Sequence, residues 1–130
     1  MKKILIAMKA LIVEDEDVLA QVLAEKLKKS DFEVEIADDG EKAVSATKSF
    51  KPDIIMLDLM LPKMDGFEVL RELKANDDTK RIPVVAITNL SEDDNIKKAL
   101  QMGVVDYFVK SNHPVNEIVE KVKAVLLKAK

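Results

Sequence analysis

The chain has 130 residues, enough for one domain with a sheet covered on both faces and too few for two. It holds no cysteine and a single histidine, His113, which excludes disulfide frameworks and cysteine nucleophiles and leaves almost no route to a zinc site. A net charge of −3, with acids and bases interspersed, gives no electrostatic footprint for direct nucleic-acid or anionic-membrane binding.

No apolar run approaches membrane-spanning length, and Lys9 interrupts the apolar N-terminus before a signal-peptide core can form, so a soluble cytoplasmic protein is expected. Ile4-Leu5-Ile6-Ala7 and Ala10-Leu11-Ile12-Val13, each preceded by lysine, look like near copies of one strand. Only the second leads straight into Glu14-Asp15-Glu16-Asp17. Strand one is therefore placed at about Ala10 to Val13, with residues 1–8 as an N-terminal extension and 9–130 as the domain. The extension reads as a leader, as an engineered duplication, or as an added strand seeking an unpaired sheet edge.

Val18, Leu19, Val22, Leu23 and Leu27 recur at helical spacing and predict a helix from about Asp17 to Lys29, with charged and polar residues on its other face. Phe32 to Ala37 alternates as a strand. Asp38 with Glu41 three residues on resembles a capping box and starts a second helix, running through about Ser49 and closed by Pro52. Next comes the apolar run Ile54-Ile55-Met56-Leu57-Asp58-Leu59-Met60-Leu61-Pro62, broken by one carboxylate, which has the look of a buried parallel strand with an acid at its carboxyl end. Lys63 to Gly66 turns the chain into a third helix capped by Asp65, with Glu68 three residues on and Phe67, Leu70 and Leu73 facing inward.

Ile82 to Ile87 is a further buried strand, with Pro83 near its start, and it delivers Thr88. Ser91 and Asp94 begin a fourth helix that stops at Gly103. Val104 to Val109 forms the last strand and delivers Lys110, and a final helix beginning near Pro114 uses Ile118, Val119, Val122 and Leu126. Five alternating strand and helix units imply a parallel sheet with right-handed crossovers and helices on both faces.

Parallel strands put their carboxyl ends on one edge, so Glu14-Asp15, Asp58, Thr88 and Lys110 should converge. Carboxylates so close repel unless a cation joins them, and hard oxygen ligands suit Mg²⁺. A hydroxyl and an ammonium beside that cation are what phosphoryl oxygens need. Asp58 is the candidate nucleophile.

The acidic pair, the buried-strand Asp58 with its Leu-Pro and Asp-Gly loop, Thr88 and Lys110 together resemble the response-regulator receiver domain, from about Lys9 to the C-terminus. The resemblance is to a single-domain, chemotaxis-regulator-like member. It implies a flavodoxin-like, doubly wound five-stranded sheet of order 2-1-3-4-5 with five helices in three layers. It also implies transfer of phosphate from a histidine kinase or phosphotransfer protein to Asp58, in a signalling domain that promotes its own phosphorylation and dephosphorylation and is otherwise no enzyme. By the same resemblance Asp15, Asp58 and the backbone carbonyl of Met60 hold Mg²⁺, with Glu14 helping through water. Thr88 and Tyr107 form the switch, and a shift of the face made by helix four, strand five and helix five is read by an output protein. A dimer through that face, or through the N-terminal extension, is open to it.

The chain departs from the family at Ser111, which follows Lys110 where proline is usual, and at Asn89, which follows Thr88 where a small residue is usual. Met60 and Leu90 occupy positions resembling the family's rate-tuning sites; both are apolar and poor at positioning an attacking water, so a long-lived phosphate is expected. Three other readings compete. A scaffold could keep the site residues without a partner, an aspartyl-phosphate phosphatase would need a second Asp where Met60 stands, and a flavin or dinucleotide binder would need a glycine-rich turn that is missing after strand one.

Overall fold

A computed structural model describes residues 7–128. The described elements alternate strictly: β1 (Lys9–Val13), α1 (Asp17–Lys29), β2 (Glu33–Ala37), α2 (Gly40–Phe50), β3 (Ile54–Leu57), α3 (Gly66–Ala75), β4 (Val84–Thr88), α4 (Asp93–Gln101), β5 (Asp106–Val109) and α5 (Val115–Lys128). The strands form one parallel sheet of order β2-β1-β3-β4-β5, so the chain reverses its winding direction beside β1. Among the described residues no helix is long and apolar enough to cross a membrane. Most of the extension, residues 1–6, lies outside the described residues; Met8 packs on the core and its carbonyl accepts the Glu33 N–H at 2.9 Å.

Period-two alternation divides the buried strand residues between two cores. Ala10, Ile12, Ile54, Met56, Val85 and Ile87 face α1 and α5, whose Leu23, Leu27, Ile118, Val119 and Val122 complete that layer. Leu11, Val13, Ile55, Leu57, Val84 and Ala86 face α2, α3 and α4 on the other side, against Ala43, Val69, Leu70, Leu73 and Ala99. Apart from Lys9 at the start of β1 and Thr88 at the end of β4, β1, β3 and β4 are therefore apolar throughout, as a sheet covered on both faces requires.

Several local expectations shift. α1 buries Ala20, Leu23, Ala24 and Leu27, whereas Val18 is 79% exposed and Val22 36%. Small alanines let the helix lie close to the sheet and rotate the large valines outward. The cap of α2 is Asp39, not Asp38: its Oδ1 accepts the Lys42 N–H at 2.8 Å, while Asp38 sits in solvent and pairs with the Lys42 ammonium. In α3 the Asp65 cap is as expected, accepting the Glu68 N–H at 3.0 Å, but Phe67 is only partly buried and lies under the Lys98 ammonium. Ser91 does not cap α4. Its N-cap is Glu92, which makes no side-chain cap bond, and the helix ends at Gln101 with Met102 as C-cap, the chain then turning at Gly103 with φ of 104°. β5 begins only at Asp106: the Val104 N–H is still bonded to the Ala99 carbonyl of α4, and Val105 makes the first bond to β4, donating to the Val84 carbonyl at 2.8 Å.

Ile55→Ala should lower unfolding free energy by about 2–5 kcal/mol, because Ile55 is fully buried between β1 and β4. Val18→Ala should change it by no more than about 0.5 kcal/mol. Urea unfolding of both variants checks the assigned faces.

Candidate functional site

The carboxyl ends of β1, β3 and β5 continue their ladder for one residue beyond the strands, and β4 ends on Thr88 itself. Glu14 N–H donates to the Ala37 carbonyl at 3.0 Å, Asp58 N–H to Val13 at 2.9 Å and Lys110 N–H to Thr88 at 2.8 Å. The three charged side chains therefore leave from backbone as fixed as the sheet itself. Asp58 and Glu14 are each only 3% exposed, and Thr88 is fully buried.

The ammonium of Lys110 sits at the centre. It is 2.8 Å from Asp58 Oδ2 and 2.8 Å from Glu14 Oε1, and it also contacts Glu16 Oε2. Asp58 Oδ1 accepts the Met60 N–H at 3.0 Å, and Glu14 Oε2 accepts the Glu16 N–H at 3.1 Å. Thr88 Oγ1 accepts the Leu90 N–H at 3.4 Å, while the Tyr107 hydroxyl donates to the Leu90 carbonyl at 2.7 Å. Among the described residues no buried side-chain nitrogen or oxygen lacks a partner.

Glycine shapes the loop after Asp58. A Cβ on Gly66 would collide with Leu59 and the Asp58 carbonyl, and one on Gly40 would collide with the Met64 carbonyl. Glycine at these two points lets the starts of α3 and α2 press against both ends of the loop, which also contains Lys63 at φ 67°.

Of the strand-end residues expected to converge, Glu14, Asp58 and Lys110 are in contact. Asp15 is not: it is exposed, and the three carboxylates with oxygens within 4.8 Å of one another are Glu14, Glu16 and Asp58. Past the end of β1 the side chains still alternate, so Glu14 and Glu16 turn to one side and Asp15 to the other. Glu16 was readable as the i+2 partner of Glu14, yet it looked like one more acid at a helix start. Met60 is 54% exposed. Asn89 and Ser111 are exposed, and every peptide bond among the described residues is trans, Lys110–Ser111 included. His113 lies beyond the site, its Nδ1 3.1 Å from the Glu117 carboxylate and its ring edge-on to Phe108.

Burial is the main influence on Glu14 and pushes its carboxyl up to about 7, against the opposing pull of Lys110. Burial works to lower the Lys110 ammonium, but its hydrogen bonds to Asp58, Glu14 and Glu16 outweigh this and hold it above its ordinary value. Burial, and then the Asp58 charge, raises the Tyr107 hydroxyl. Tyr107 thus lies within electrostatic reach of Asp58.

Residues 10–123 match the response regulator receiver domain family. The chain belongs to that family. This receiver domain is 36% identical over 118 residues to the alkaline phosphatase synthesis transcriptional regulatory protein PhoP of Bacillus subtilis, covering 91% of this chain and 48% of PhoP. The chain spans about half the length of the curated relatives it matches. Among solved structures it is similar to the signal receiver domain of a histidine kinase from Syntrophus aciditrophicus, with 31% identity, a TM-score of 0.85, and coverage of 95% of this chain and 93% of that one. It is also similar to the receiver domain of the sensor histidine kinase PA1611 from Pseudomonas aeruginosa, with 27% identity, a TM-score of 0.79, and coverage of 95% and 97%. That structure carries a magnesium ion in its active-site cleft. The receiver fold, including the strand order expected from sequence, is what the topology shows.

Glu14 makes the stability of the receiver domain depend on pH. Its folded value of about 7 lies above the ordinary 4.5, so the folded protein holds more protons than the unfolded chain between these values. The Glu14 contribution is fully present below about 4.5 and is lost as pH rises through about 7. Without added metal, Tm should fall from pH 5 to pH 8, and Glu14→Gln should flatten that slope.

Proposed function

We propose that this receiver domain accepts a phosphoryl group on Asp58 from a histidine kinase or a histidine phosphotransfer protein, and passes the change to a partner protein. The observation that carries the reading is the Lys110 ammonium within 2.8 Å of the Asp58 carboxylate at the carboxyl edge of the sheet. An Asp58 oxygen attacks phosphorus, the P–N bond to the donor imidazole breaks, and its electron pair returns to the ring, which takes up a proton from solvent. Lys110 exchanges the free carboxylate for the new phosphoryl oxygens, which keeps its charge compensated throughout. Thr88 offers its hydroxyl to a further phosphoryl oxygen.

Mg²⁺, when bound, supplies charge neutralisation for the transferred group. Asp58 and Glu14 bring carboxylate oxygens within 4.8 Å of one another, a hard, anionic pair that suits such an ion. Asp58, Asp15 and the Met60 carbonyl would hold it, with Glu14 acting through water; Asp15 must then turn inward from its exposed position. The magnesium in the PA1611 receiver domain supports this reading.

Signalling follows from what Thr88 and Tyr107 share. Both are bonded to the backbone of Leu90, so drawing Thr88 toward a phosphoryl oxygen disturbs the carbonyl that holds the Tyr107 hydroxyl. The consequence is a population shift on the face of α4, β5 and α5, where Leu100 and Val105 are about half exposed. That face is the proposed contact for an output protein or a second copy. The net charge of −3 over the 130 residues makes the domain as a whole a poor match for nucleic-acid phosphates, and we assign it protein contacts in the cytoplasm.

Intact mass after incubation with acetyl phosphate and Mg²⁺ should show one phosphoryl adduct, absent without Mg²⁺ and absent in Asp58→Asn. No adduct on a folded protein that binds Mg²⁺ would refute the reading. Since Met60 is apolar and Leu90 follows two residues after Thr88, the adduct should persist after donor removal; rapid loss of the phosphoryl group from purified protein would contradict this.

A further inference from the structure

An ammonium has three N–H donors, and the Lys110 ammonium has three carboxylate partners, Asp58, Glu14 and Glu16. Carboxylate oxygens therefore surround the ammonium before any phosphoryl group arrives: it donates hydrogen bonds to Asp58 and Glu16 and pairs with Glu14 at 2.8 Å. For Lys110 to reach phosphoryl oxygens, one of the three must let go. Until the group has been transferred, Asp58 stays paired with Lys110 at the reacting centre as the acceptor. Glu14, with a side chain 3% exposed, would become a buried carboxylate without its cation. Glu16, with a side chain 56% exposed, returns to water at little cost.

We propose that Glu16 is a displaceable latch on Lys110, closing the solvent side of the ammonium in the resting domain and swinging out to free one N–H for an incoming phosphoryl oxygen. The backbone of Glu16 stays in place during this motion. Its carbonyl accepts the Ala20 N–H at 3.0 Å and its N–H donates to Glu14 Oε2, so only side-chain torsions turn. Glu16 thus acts through Lys110 as a positioning residue, and it opposes anionic donors both by occupying a hydrogen bond and by its charge. The inference rests on Asp58 being the phosphoryl acceptor, as proposed above.

The test compares wild type, Glu16→Gln and Asp17→Asn, the last removing a neighbouring exposed charge that is not among the Lys110 partners. Initial rates of adduct formation are measured across acetyl phosphate concentrations at saturating Mg²⁺. Glu16→Gln should lower KM about threefold to tenfold, with kcat changed by less than about twofold, and the gain should shrink as salt screens the exposed carboxylate. Mg²⁺ affinity, read by calorimetry without donor, should stay the same. An unchanged or raised KM, an equal gain in Asp17→Asn, or weakened Mg²⁺ binding in Glu16→Gln, which would make Glu16 a metal ligand, overturns the latch. Trace labelling with acetic anhydride reads Lys110 independently of phosphorylation. Its labelling should rise about fivefold in Glu16→Gln and not in Asp17→Asn, since freeing an N–H and lowering proton affinity both favour the reactive amine. Unchanged labelling overturns the latch as well. A wild type that takes up no phosphoryl group refutes instead the assignment of Asp58, and the labelling result still decides the role of Glu16.

Discussion

Two carboxylates, those of Glu14 and Asp58, sit almost wholly out of water at the edge of an apolar sheet, and the single ammonium of Lys110 keeps them there. Taking charges out of water is expensive, and the cost is offset only when opposite charge and hydrogen bonds are in place. Both conditions are met: Lys110 touches each, and backbone N–H groups of Met60 and Glu16 satisfy the remaining oxygens. The arrangement still carries a surplus of negative charge. That surplus raises the demand for a cation and makes the site chemically poised rather than inert.

Such a cluster holds its shape because the polypeptide beneath it cannot adjust freely. β1, β3 and β4 are buried on both faces, and their hydrogen-bond ladder reaches the charged residues themselves. Gly66 and Gly40 let two helix starts close on the loop after Asp58. Mobility is left to side chains at the rim, with Glu16, Met60 and Asp15 exposed while Asp58, Glu14 and Thr88 are not. A rigid interior with an exposed rim fits the phosphoryl transfer proposed for this site.

Communication away from the site has an equally local basis. Leu90 is bonded through its N–H to Thr88 and through its carbonyl to Tyr107, so one residue of the β4–α4 connection links the site to β5. α4 is lightly anchored by comparison: Ala99 is its only buried residue, and its N-cap makes no side-chain bond. A helix held by so little apolar contact lies at the low-stability end of the fold.

Much of this was legible in the sequence. Alternating apolar strands and amphipathic helices dictate a parallel sheet, and a parallel sheet necessarily gathers its strand ends, which is why Asp58, Thr88 and Lys110 stood out before any coordinates. The α3 cap at Asp65 was readable for the same reason, since a cap depends on neighbours within one turn. The tertiary structure decided what depends on how elements press together. It chose Asp39 over Asp38 as a cap, turned Val18 and Val22 outward by seating Ala20 and Ala24 on the sheet, and set Glu14 and Glu16, out of a run of four acids, against Lys110. Local pattern lists the groups able to carry charge, but the side a carboxylate takes is set by the direction of the last backbone bond of β1 and by the position of an ammonium 94 residues further along the chain.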